Sequence, residues 1–119
     1  MEKEKREQLK SLGVDVDSTL ERFMGNEELY LKFVRKTGED PTVGELMEAL
    51  ERGDYDAVYR SAHTLKGVAA NLGFSYLQSA AEKAVCLMRE DPADWNRMTN
   101  ACEEVEEQMR QVLLVTNIL

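Results

Sequence analysis

Residues 54–73 read DYDAVYRSAHTLKGVAANLG. Within this stretch Tyr55, Val58, Ala62, Leu65, Ala69 and Leu72 recur at alternating steps of three and four. On a helix that spacing collects the apolar side chains into one a/d seam, the pattern of an element facing a bundle core. The spacing predicts a helix over 54–72, with Gly73 placed to terminate it.

The same punctuation repeats to either side. Upstream, Asp40-Pro41 puts a capping aspartate before a proline at the first helical position, and Leu46, Met47 and Leu50 give the following helix its apolar side up to Gly53. Asn26, followed by Glu27 and Glu28, opens an earlier helix whose Leu29, Tyr30, Phe33 and Val34 recur at helical spacing before Gly38. Further back, Asp17 is expected to cap a short helix carrying Leu20 and Phe23 and stopping at Gly25. A charged leading helix is expected from Glu2 to Leu12, ended near Gly13. Downstream, Phe74 to Glu90 forms the next helix, with Leu77, Ala81, Ala84 and Met88 inward. Asp91-Pro92 then opens the last, whose stripe is Trp95, Met98, Cys102, Val105, Met109 and Val112. Short connections between long amphipathic helices imply antiparallel neighbours. The expected fold is all-α: an up-down antiparallel four-helix bundle preceded by one or two short N-terminal helices.

Length and composition agree. At 119 residues the chain is expected to be one domain with one hydrophobic core. Its net charge of −8, from 23 acidic and 15 basic residues, disfavours nucleic acid and anionic membrane surfaces, although a locally basic patch for a protein partner is compatible with it. No apolar run approaches the roughly 18 residues that cross a bilayer. The opening MEKEKREQLK has no apolar segment behind its charges and is not a secretory signal, so a cytoplasmic, free-standing chain is expected. Cys86 and Cys102 fall in different helices without a CxxC, and are expected to be reduced, semi-buried thiols.

The only histidine, His63, shares a stripe with Lys66, Gly67 and Ala70, at i, i+3, i+4 and i+7. At ~100° per residue that stripe lies about a third of a turn from the apolar seam, so the imidazole is expected to face solvent or a partner. Gly67 costs roughly 1 kcal/mol relative to alanine in mid-helix, and here it strips the turn beyond the ring of its side chain, with Ala70 keeping the next turn low. Lys66 brings a positive charge within reach of a group carried on the ring, and a neutral imidazole nitrogen is a competent nucleophile. Taken singly, each residue has an ordinary reading: a surface histidine, a close helix crossing at the glycine, a solubilising lysine. Together on one stripe they point to chemistry at His63.

His63-Thr64-Leu65-Lys66-Gly67, then Ala69 and Leu72-Gly73, closely resembles the signature of histidine-containing phosphotransfer (HPt) domains of bacterial phosphorelays. Gly25-Asn26-Glu27-Glu28-Leu29-Tyr30 with Phe33 is similar to the start of that family's first bundle helix, so the resemblance covers roughly residues 14–115. It implies that His63 accepts a phosphoryl group on Nε2 from a receiver aspartate or a histidine kinase and passes it to a response-regulator receiver aspartate. Lys66 is then the phosphate-side cation, Gly67 the docking clearance and Gly73 a structural turn. The resemblance also implies that catalysis and Mg²⁺ belong to the partner receiver, with no cofactor on this chain. In one departure, Val85 stands where many members place a glutamate or glutamine that supports the histidine ring.

Tyr59, one turn before His63, and Phe74 are candidates for an apolar docking rim, and Tyr59 and Ala70 are the expected partner-binding residues. The acidic run Glu103, Glu104, Glu106 and Glu107 diverges around its helix and reads as a solvated face, not a cation site. A monomer is expected, with receiver domains or a hybrid histidine kinase as partners. A module that docks such partners without transferring phosphate is the alternative that Val85 keeps open. An enzyme using His63 as general base has no second catalytic group to support it.

Overall fold

Asp54 is extended, and its carboxylate accepts a hydrogen bond from the Ala57 amide at 3.1 Å, which fixes where the central helix begins. That helix runs Tyr55–Leu72 and ends at Gly73, whose φ of +79° is the left-handed conformation that closes a helix. The Phe74 amide returns to the Ala69 carbonyl at 2.9 Å and the Gly73 amide to Ala70 at 3.3 Å, the two bonds of a Schellman turn. In chain order the computed structural model, which describes residues 1–91 and 93–119, contains α1 (Lys3–Lys10), α2 (Val16–Arg22), α3 (Glu27–Lys36), a short 3₁₀ turn (Thr37–Glu39), α4 (Thr42–Arg52), α5 (Tyr55–Leu72), α6 (Ser75–Glu90) and α7 (Trp95–Thr116).

The fold is the all-helical bundle. Helix α5 packs on α4 and α6, α6 on α7, and α7 returns to α4, closing a four-membered ring. Helix α3 lies on α5, and the 3₁₀ turn lies on α7. The shared core is made by Val58, Ala62, Leu65 and Ala69 of α5, Leu77, Ala81, Ala84 and Val85 of α6, and Met98, Cys102, Val105 and Met109 of α7, all buried. Alanines at four of these positions let the helix axes approach closely, while each fully buried leucine or valine contributes about 1.5–3 kcal/mol. Tyr30, also fully buried, donates its hydroxyl to the Leu72 carbonyl at 2.8 Å and so satisfies one of the last acceptors of α5.

The segment that holds α1 and α2 lies against the α5–α6 turn, where a Cβ on Gly13 would meet Ser75 and Tyr76 at 3.1 Å, and it buries Leu9, Leu12, Val14, Val16 and Leu20. The side chain of Thr19 lies so close to Gly73 that a Cβ there would sit 2.6 Å from its Oγ1.

Several boundaries differ from expectation. Asp15, not Asp17, caps α2, accepting from the Ser18 amide at 3.2 Å. Starting the helix at Val16 buries Val16 and Leu20 together and turns Asp17 outward to Arg6 at 3.0 Å. Proline 41 precedes α4 instead of opening it, and Asp40 accepts from the Thr42 amide. Phe74 lies before α6, fully buried, and cannot form part of a docking rim. It is the apolar residue that a Schellman turn folds back onto its own helix. Asp94 caps α7 by accepting from the Arg97 amide at 3.0 Å, so that helix starts later than the Asp91-Pro92 signal suggests. Pro92 itself lies outside the described residues. Met88 is half-buried, while Leu87 beside it is buried. Cys102 is buried but Cys86 is exposed, and both are free thiols.

Two outcomes follow from this packing. Gly73→Ala should destabilise by about 1–3 kcal/mol in urea titration, because it adds left-handed strain to the clash with Thr19; Thr19→Ala in the same chain should restore only the steric part. Burial, with Glu103 adding to it, pushes the Cys102 thiol up from 9.0 to about 11. Burial also raises the Tyr30 phenol, with Arg22 only partly opposing it. Above the ordinary thiol range the unfolded chain therefore sheds protons that the folded chain keeps. Unfolding free energy should fall as pH rises from about 9 to about 11, and Cys102→Ala should flatten that slope.

Candidate functional site

The seam of α5 is buried at Val58, Ala62, Leu65 and Ala69, and this leaves the opposite side of the helix to water. His63, Thr64 and Gly67 are exposed there, and Lys66 and Ala70 are half-buried. The stripe predicted from spacing is thus present, with the imidazole outside the core. A Cβ built on Gly67 meets nothing within 4 Å, so the glycine is not there to let another helix cross. His63, Thr64, Gly67, Val68, Ala70 and Asn71 line one shallow open depression together with Arg22 from α2.

Arg22 reaches this depression by donating Nη1 to the Ala70 carbonyl at 3.0 Å. No spacing within α5 could have revealed it, since it comes from a separate element brought alongside by the wedge of α1 and α2. Arg60 is exposed one turn before His63. Arg22 and Lys66 put positive charge beside the histidine on a chain of net charge −8, while Arg60 lines a separate depression with Glu45 and Glu48 of α4.

Helix α6 supplies partners on both sides of the histidine. Glu82 Oε1 lies 4.0 Å from Lys66 Nζ, with both side chains partly in water, so the pair biases the lysine's position more than it adds stability. Arg89 donates Nε and Nη2 to the Tyr59 hydroxyl at 3.0 and 2.7 Å. Its guanidinium carbon lies 5.7 Å from the centre of the tyrosine ring. The Tyr59 ring in turn sits 6.1 Å from the imidazole, tilted by 30°. Lys66 and Glu82 are equally far in sequence from Phe74, and so are Tyr59 and Arg89. That is the register of two antiparallel helices folded at the Gly73–Phe74 turn, and counting outward from the turn would have found both partners. The same count sets Val85 level with His63; it is buried and presents no polar atom to the ring.

The remaining candidates lie elsewhere. Glu103, Glu104 and Glu106 are exposed on α7, and Glu107 pairs with Arg110 at 2.7 Å. Among the described residues no group of three or more histidine, cysteine, aspartate and glutamate side chains is arranged to hold a metal ion. None of the described helices is long and apolar enough to cross a membrane.

A four-helix bundle thus carries a single solvent-facing histidine beside a lysine and a bare glycine. The family model described as Hpt domain matches residues 28–114, and the chain belongs to that family. Hpt domains serve histidine phosphotransfer in phosphorelays as phosphocarriers, and they interact with response-regulator receivers or kinases. No curated protein and no solved structure matches the chain.

Because Gly67 has only open space above it, the fold itself gains nothing from the missing side chain. Gly67→Ala should therefore raise the unfolding free energy by about 0.5–1 kcal/mol, as read by thermal or urea denaturation. A destabilised variant would mean that the glycine serves packing.

Proposed function

We propose that this chain carries a phosphoryl group on His63 between partners of a two-component phosphorelay. The neutral imidazole Nε2 attacks the phosphorus of a receiver aspartyl phosphate. The N–P bond forms as the P–O bond breaks, and the aspartate leaves as a carboxylate. A second receiver aspartate reverses these steps and regenerates the free imidazole. A histidine kinase is the alternative donor. The observation that carries this reading is the exposure of His63 on a stripe that nothing overhangs, since a second protein must bring its reacting atoms to within contact distance of Nε2.

Lys66 is the cation for the phosphoryl oxygens, and the contact with Glu82 is loose enough to be exchanged for them. Gly67 and Ala70 keep the helix surface low where the partner docks. Tyr59 borders that surface on the side of the preceding turn. Arg22 extends the positive charge, which suits the acidic, Mg²⁺-holding pocket that the partner receiver is expected to bring. Buried Val85 favours one competing reading, a module that docks receivers without accepting phosphate, because it leaves the ring without a polar support at its own level.

Incubation with a ³²P-labelled phosphorylated receiver separates the two. The expected result is acid-labile, alkali-stable label on the wild-type chain and none on His63→Gln. Gly67→Ala, folded and more stable, should accept label more slowly because its methyl group intrudes on the docking surface. Receiver binding that is indifferent to His63→Gln, without label on the wild type, would establish the docking module instead.

A further inference from the structure

The geometry points to Arg89 as a positioning residue for His63 that acts through Tyr59; its bearing on phosphoryl transfer rests on the function proposed above. An exposed histidine on a helix has several staggered wells open to it, and a reactive nitrogen that wanders among them is seldom aligned with a docked phosphorus. Among the described residues nothing donates to or accepts from the imidazole, and the position level with it on α6 is the buried Val85. The side chain that faces the ring is Tyr59, at a centroid distance and tilt that suit an offset aromatic pair.

Tyr59 can fix the imidazole only if it is fixed itself. A cation in the last turn of a helix ordinarily serves that helix's terminal carbonyls. Arg89 stands in the last turn of α6 but commits two N–H groups to one hydroxyl on the neighbouring helix, with its guanidinium held beside the same ring. The fork grips the tyrosine at its far end, and the tyrosine ring presents its side to His63. Arg89 makes no contact with the imidazole, so its influence on the reacting nitrogen passes through the phenol. Tyr59 is then a support of the ring as well as part of the docking border.

The test is a double-mutant cycle on the full chain with Tyr59→Phe, which keeps the ring and loses the hydroxyl, Arg89→Gln, and the two combined. Side-chain coupling constants of His63 by NMR report its χ1 distribution, and label transfer from a phosphorylated receiver reports the rate. Circular dichroism melting confirms that each variant folds. A single His63 rotamer is expected in the wild type and averaged rotamers in all three variants, with transfer slowed about three- to tenfold. The double variant should be no worse than either single one, and Arg89→Lys, which retains a charged donor on a long stem, should recover part of the loss. An unchanged His63 rotamer in Arg89→Gln, or losses that multiply in the double variant, overturns the inference. A wild type that takes up no label overturns the phosphocarrier reading instead, and the NMR arm still decides the role of Arg89.

Discussion

Helix α5 has to be held firmly along one seam while a second stripe, about a third of a turn away, stays bare. The rest of the molecule answers that constraint. Val58, Ala62, Leu65 and Ala69 tie the helix to its neighbours with no exposed surface, so the opposite side is free of any structural duty. The end of the helix is secured with equal care. Its last carbonyls are taken by the Schellman turn, by the buried Tyr30 hydroxyl and by Arg22, and hence by three separate parts of the chain. A histidine on such a helix has its backbone fixed without packing around the ring.

Local electrostatics run against the charge of the whole. The chain is acidic, yet the groups around His63 are lysine and arginine, and the principal acid among them, Glu82, lies beside Lys66 at the limit of an ion pair. General repulsion from other acidic proteins is thereby relieved at one spot. The glycine in the stripe belongs to the same compromise. It leaves helix stability unclaimed, and nothing in the fold fills the space above it.

Much of this was legible in the sequence because helices of this kind announce themselves by period. The seam of α5, the stripe of His63, Lys66, Gly67 and Ala70, and the glycine stop at Gly73 all follow from spacing alone. Caps were less legible. Asp15 and Asp17 are equivalent as chemistry, and only the burial of Val14 and Val16 decides between them. Phe74 looked like surface because an aromatic residue beside a turn is ambiguous until the turn type is known; the left-handed Gly73 sends it into the core. Arg22 was beyond reach, since it meets the site through tertiary packing. Arg89 and Glu82 were within reach, given the hairpin register, but helical periodicity within one element does not contain it.

Residues 1–27 lie before the segment that matches the family, and yet they are not an appendage. Their apolar side chains sit on the α5–α6 corner, Thr19 presses on Gly73, and Arg22 forms part of the wall beside His63. A change at Arg22 therefore alters the rim of the depression directly, whereas one at Leu9, Leu12, Val14, Val16 or Leu20 reaches it through the buried core that these residues share with the bundle. One stretch of chain thus answers both for the company the histidine keeps and for holding it upright.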